Sequence, residues 1–176
     1  MRPSTISKAH RKRYADYYAA REIPLRQHRW HDYFERIAEE IGAATVLDYG
    51  CGPNASLAAF SGRAVTNYDP GVSAYSTAPV GTFDLVVCNQ VLEHIEPECI
   101  DAVLDDVRGY AGKAALISVS TEPSTKLLDG MDWHSFVKEP AWWHVKFIES
   151  FPGCEFIDLG GHPSDVAILW RRDAAW

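Results

Sequence analysis

Asp48 stands two residues before Gly50 in the run Thr45-Val-Leu-Asp-Tyr-Gly-Cys-Gly-Pro-Asn54. Thr45, Val46 and Leu47 form a short apolar run of strand formers, so the carboxylate falls at a strand's C-terminal end. Gly50 and Gly52 free the backbone for a sharp turn and for close approach of a ligand. Pro53 suits the first position of a following helix. Strand, glycine turn and helix open a nucleotide-binding α/β unit, whose ligand lies at the carboxyl ends of the strands. Asp69 ends a second strand, Arg63–Asp69, where a carboxylate can accept both hydroxyls of a ribose. Gly50-x-Gly52-x-x-Ala55 with Asp69 also fits a loose dinucleotide fingerprint. An acid beside the first glycine repels a pyrophosphate and attracts an amine or a sulfonium, so a ligand with a positive centre is the better fit. Two histidines complete the chemical set. His94 follows the apolar run Phe83–Cys88, and His134 lies in the long segment Thr121–Glu139. An imidazole titrates near neutrality and is a natural proton acceptor.

Val46-Leu-Asp-Tyr-Gly-Cys-Gly52 resembles motif I of class I S-adenosylmethionine (SAM) dependent methyltransferases, with Asn54 where that motif often has a third glycine. Phe83-Asp-Leu-Val-Val-Cys-Asn-Gln-Val-Leu-Glu-His-Ile95 resembles motif IV and the helix after it, and is the more specific of the two. Asn89 is not followed by Pro-Pro-Tyr, which disfavours amino-methylating enzymes of that type. Asp129-Gly-x-x-x-His134, ahead of Pro140-x-Trp-Trp, is similar to small bacterial and phage methyltransferase-domain proteins. The resemblance spans about Val46 to Trp170. It implies SAM as cofactor, held by Asp48, Gly50, Cys51, Gly52, Asp69, Pro70, Asn89 and Gln90, with Asp69 as the ribose acid. It makes His134 the first candidate catalytic base and His94 the second. No metal is expected.

The elements that position these residues read as an α/β chain. Residues 5–20 form a helix carrying Tyr14, Tyr17 and Tyr18. A second helix after Pro24 repeats Trp30, Tyr33, Phe34, Ile37, Ala38 and Ile41 at three- and four-residue spacing. Residues 1–42 are expected to be a helical cap on the same domain, and residues 43–176 the SAM-binding unit. Strands are expected at 45–49, 64–69, 83–88, 114–120, 154–159 and 165–170. The resemblance implies a Rossmann-like, mostly parallel sheet in the order second, first, third, fourth, sixth, fifth, its last strand antiparallel. Residues 70–82 read as turn chemistry, too short for a crossover helix and a further strand. The usual third strand and its helix are therefore expected to be missing. Tyr75 and Val80 are the candidates for the adenine wall that this unit would supply.

The 176 residues are one domain's worth. No apolar run is long enough to span a bilayer, and the basic N-terminus lacks a signal peptide's apolar segment. Four scattered cysteines, Cys51, Cys88, Cys99 and Cys154, read as reduced thiols of a cytoplasmic protein. Residues 1–36 hold nine Lys/Arg and four acids, a charge of +5 against −12 for the rest. That segment suits an anionic substrate or a solvated helix face. A small-molecule acceptor is the leading expectation. A nucleic acid is less favoured, because the acidic body repels a long polyanion. A non-catalytic SAM-binding module and SAM cleavage are the other readings. His28 and His31 read as surface histidines, and Asp101, Asp105 and Asp106 as a solvated helix side.

Overall fold

The computed structural model describes residues 4–21, 23, 25, 30–128, 130–160 and 165–172. Pro24, Arg26, His28, Arg29, Asp129 and the turn Gly161-His162-Pro163 lie outside the described residues. The helices are α1 (Lys8–Ala19), α2 (His31–Glu40), α3 (Ser56–Phe60), α4 (Ile100–Tyr110) and α5 (Pro140–Ser150). The strands are β1 (Thr45–Tyr49), β2 (Ala64–Tyr68), β3 (Phe83–Asn89), β4 (Ala111–Val119), β5 (Leu127–Leu128), β6 (Met131–Asp132), β7 (Glu155–Phe156) and β8 (Val166–Arg171).

Six strands form one sheet in the order β2-β1-β3-β4-β8-β7. β2, β1, β3 and β4 are mutually parallel, and β8 runs antiparallel to both β4 and β7. This is the expected order, with β2 at the sheet edge. Residues 70–82 hold one short 3-10 turn, Ser73–Tyr75, and no strand, so the shortened connection is real. Alternation along the central strands divides the core in two. Val46, Leu85, Leu116 and Leu169 meet Trp30, Phe34 and Ile37 of the α2 segment. Leu47, Val86, Ile117 and Ile168 face the other way, against Val103 and Leu104 of α4 and Trp143 and Phe147 of α5. Near-continuous apolar strands are what a sheet covered on both faces requires.

Several local expectations change. The residues after Gly50 form a turn, with Ala55 at φ 44°, and α3 begins at Ser56, so Pro53 is not a first helical residue. The 154–159 strand pairs only at Glu155–Phe156; both side chains are exposed at the sheet edge, and one further bond runs from the Ile157 N–H to the Ala167 carbonyl. β4 starts at Ala111, because a register shift between Phe83 and Leu85 lets Ala111 pair with Phe83. The long 121–139 segment contains the β5–β6 hairpin. His31 is buried, 6% exposed, where a surface histidine was expected. All four cysteines are free. Among the described residues no helix is long and apolar enough to cross a membrane.

α1 lies across the turn that follows β3. Ser7 caps it, its Oγ accepting the His10 N–H at 3.1 Å. His10 Nε2 donates to the His94 carbonyl at 2.7 Å. Tyr14 and Tyr17 stack on Trp133, with ring centroids 4.9 and 4.1 Å away. The tyrosines thus pack against the body as aromatic anchors.

The two sides of α5 should respond differently to truncation. Phe147→Ala, at a fully buried ring, should cost about 3–5 kcal/mol in denaturant unfolding. Ile148→Ala, at a side chain 55% exposed, should cost under about 0.5 kcal/mol.

Candidate active site

The carboxyl ends of β1, β2 and β3 converge on one cleft. Its lining includes Gly50, Asp69, Pro70, Gln90, Val91 and His94 from the strand ends, and Ile6, Tyr14 and Tyr18 from the N-terminal segment. The glycine turn is held from β2: the Gly50 and Cys51 N–H groups both donate to the Tyr68 carbonyl, at 2.7 and 3.2 Å. Gly50 sits at φ +79°, and a Cβ there would stand 2.4 Å from Val91 Cγ2. Glycine is required at this position by both the dihedral and the space.

Asp69 is tied down by the loop around it. Its Oδ2 accepts the Gly52 N–H at 3.0 Å and its Oδ1 the Gly71 N–H at 2.8 Å. Burial still outweighs these bonds and raises its pKa. A carboxylate has about four lone-pair sites, so two acceptor positions remain for a ligand. Asp48 is more deeply buried, at 8% exposure. Burial, with a contribution from Asp69, pushes its pKa up to about 7. Among the described residues no cationic side chain pairs with either acid. A buried carboxylate beside a half-buried one, with neither paired to a cation among the described residues, makes a site that favours a positive charge.

At the end of β3, Asn89 Oδ1 accepts the Ser118 hydroxyl at 2.5 Å. Gln90 next to it is left-handed, φ 54°, a costly conformation for a side-chain-bearing residue. Its Nε2 is buried without a partner, in a side chain that lines the cleft. Cys51 lines a second cleft with Gly52, Asn54, Tyr17, Arg21, Lys126 and Trp133; burial raises its thiol pKa, so it is not an activated nucleophile.

The two candidate bases come together. The His94 and His134 rings stand edge to face with centroids 5.0 Å apart. His94 Nδ1 lies 3.1 Å from the Trp133 carbonyl, and His134 Nδ1 lies 2.6 Å from the Glu122 carbonyl. A carbonyl only accepts, so each Nδ1 carries the proton. Burial lowers the His94 pKa to about 4, keeping the ring neutral. His94 lines the first cleft; His134 lines a neighbouring one with His10 and Glu96.

Two expectations fail here. Val80 is 96% exposed, and neither it nor Tyr75 lines the cleft. Pro70, Gly71, Ile6, Ile95 and Val103 are among the residues that line it instead. Sequence reasoning also passed over Glu93, which is wholly buried beside His94. An acid within an apolar run, directly before a histidine, was the available signal.

A family model described as a methyltransferase domain matches residues 22–152. The chain belongs to this methyltransferase family. Comparison with curated proteins finds no match. Among solved structures this methyltransferase is similar to DhpI in complex with SAH, at 18% identity and a TM-score of 0.56, with 92% of each chain covered. It is similar to the 1,6-didemethyltoxoflavin-N1-methyltransferase of Burkholderia thailandensis, crystallised with its substrate and S-adenosylhomocysteine. That likeness has 15% identity and a TM-score of 0.59, covering 92% of this chain and 86% of the other. Human N-acetylserotonin methyltransferase in complex with SAM aligns at 14% identity and a TM-score of 0.52, over 92% of this chain and 63% of its own. At these identities the likeness is one of fold.

Asp48 has a thermodynamic signature in the ligand-free methyltransferase. Its folded pKa, about 7, lies above the usual carboxylate value of about 3.9. Between those values the native state holds more protons than the unfolded state, so this group's contribution to stability falls as pH rises. Asp48→Asn should remove that component. Denaturant unfolding from pH 4 to 8 should show the variant gaining on the wild type as pH rises, and a constant difference would count against the buried acid.

Proposed function

We propose that the chain is a SAM-dependent methyltransferase that acts on a small-molecule acceptor. The observation that carries this reading is the pair of carboxylates at the ends of β1 and β2, Asp48 buried and Asp69 half-buried, with no cationic side chain paired to either among the described residues. SAM fits them: its ribose offers two hydroxyl donors, and its amine and sulfonium offer positive charge. In this reading Asp69 takes the ribose hydroxyls at its two remaining acceptor positions. Asp48 faces the positive end of the cofactor. Gly50 and Gly52 let the backbone approach, and the unpartnered Gln90 Nε2 donates to the cofactor. Cys51, Pro70 and Asn89 shape the walls. NAD suits the site poorly, because its pyrophosphate would meet Asp48.

Methyl transfer is an in-line displacement. The acceptor's lone pair attacks the methyl carbon, and the carbon–sulfur bond breaks with its electron pair going to sulfur. S-adenosylhomocysteine leaves, and a protonated acceptor gives up one proton. Alignment and exclusion of water supply most of what the protein must provide. α1, with Tyr14 and Tyr18 lining the cleft, covers the cofactor side. In this reading His134 and His94 are the candidate bases, taking that proton through Nε2.

A small acceptor fits the clefts better than a duplex. Arg21 and Lys126, which line the second cleft with Trp133 and Tyr17, suit a compact anionic or aromatic group. On α1, Lys12 is already paired with Asp16 at 2.6 Å, which reduces the charge open to phosphates.

Asp69→Ala should weaken SAM binding at least tenfold in titration calorimetry. Each lost charged hydrogen bond is worth about 1.5–3 kcal/mol. Asp69→Asn should weaken it less, and both variants should keep the wild-type circular dichroism. Incubation with labelled SAM and cell extract should place the label on small molecules. Label on nucleic acid would favour the nucleic-acid reading, and SAM binding without any transfer would favour a binding module. Tight NAD binding with no SAM binding would refute the cofactor.

A further inference from the structure

The turn after β3 and the segment before α5 bring three ligand-type side chains to one point. One donor atom each from Glu93, His94 and His134 lies within 4.8 Å of the others. Glu93 is 0% exposed, and neither of its carboxylate oxygens has a hydrogen-bond partner. A buried acid left this way is costly, whether charged or neutral. A cation with an affinity for oxygen would satisfy it.

The two imidazoles are arranged to supply the rest of such a site. Each Nδ1–H is spent on a backbone carbonyl, Trp133 for His94 and Glu122 for His134. That fixes both tautomers and ring orientations and leaves Nε2 as the donor atom. Metal-ligating histidines are held by this kind of outer hydrogen bond. The supporting backbone is itself pinned. The Phe136 N–H donates to the Glu93 carbonyl at 3.0 Å, and the His134 N–H to Asp132 Oδ1 at 2.8 Å. The first bond ties the two segments together and the second fixes the backbone at His134, so the three ligands keep their spacing.

We propose that Glu93, His94 and His134 bind one divalent transition-metal ion. Two imidazoles and one carboxylate suit Zn²⁺ or Mn²⁺ better than Mg²⁺ or Ca²⁺, which favour all-oxygen shells. Three protein ligands leave a coordination position open, as catalytic rather than structural sites do. The ion stands beside the cofactor cleft, because His94 lines it. An open position there can hold an acceptor oxygen; this role rests on the methyl-transfer reading, whereas the site itself does not. Ligation and proton acceptance use the same Nε2, so the two histidines can take the acceptor's proton only in the ion-free protein and act as ligands once the ion is bound.

The test uses untagged full-length protein stripped with a chelator, then titrated with ZnCl₂, MnCl₂ and MgCl₂ by calorimetry. SAM binding and thermal unfolding are measured on the same samples. The wild type should bind about one equivalent of Zn²⁺, and Zn²⁺ should raise its unfolding temperature. His134→Ala, at a partly exposed side chain, should keep the fold and weaken Zn²⁺ at least tenfold. Glu93→Gln should do the same, and His144→Ala, at an exposed histidine, should change nothing. Zn²⁺ binding without SAM binding would support the site while refuting the methyl-transfer reading. Absence of Zn²⁺ and Mn²⁺ binding, or Zn²⁺ affinity unchanged in His134→Ala, would overturn the proposal.

Discussion

A buried carboxylate, Asp48, held beside a half-buried one, Asp69, is the constraint around which this structure is built. Asp48 and Asp69 end adjacent parallel strands, β1 and β2, so their like charges are held close in a poorly solvated place. Burial raises both pKa values, and the proximity of Asp69 adds to the effect on Asp48. Elsewhere the fold treats acids differently. Asp84, at the opposite end of the sheet, accepts the Ala44 and Thr45 N–H groups at 2.8 and 3.1 Å and pairs with Lys113. Its pKa is lowered. The contrast separates an acid that fastens strands from acids kept in want of a cation. The glycine turn serves the second kind, because Gly50 and Gly52 carry the backbone past the acids without placing a side chain in the way.

The shortened connection after β2 explains why the N-terminal segment matters. With one 3-10 turn in place of a strand and helix, residues 70–82 give the cleft only Pro70 and Gly71. Ile6, Tyr14 and Tyr18 line it from the other end of the chain. Anchoring is mutual. His10 and Tyr14 bond the His94 carbonyl, at 2.7 and 3.4 Å, and Tyr14 also bonds the Trp133 carbonyl at 3.3 Å. The same helix therefore closes the cofactor side and steadies the two segments that carry the histidines.

Most of the sheet was legible in the sequence because its strands are buried on both faces and read as apolar runs. Strand order followed from the resemblance, and the missing unit from counting residues against the length of a crossover. The edge strand at 154–159 was overdrawn because exposed edge pairing leaves little pattern in composition. Tyr75 and Val80 do not line the cleft, and nothing local in a glycine- and proline-rich loop shows which of its side chains turn inward. The position of Asp48, Asp69 and Gln90 at or just past strand ends was readable, because the strands are apolar runs that these residues close. Glu93 was not, since its meaning lies in a burial and a neighbour, His134, some forty residues on, that only the folded chain brings together.

The account's central claim is that the buried Asp48 carboxylate awaits a cationic ligand. If so, SAM binding must draw a proton off it, because the positive charge favours the ionised form. Calorimetric titration of SAM near pH 6.5, in buffers of different ionisation enthalpy, reads this directly. The account predicts net proton release in the wild type and its loss in Asp48→Asn. SAM binding with no proton exchange, or with the same release in Asp48→Asn, would contradict it.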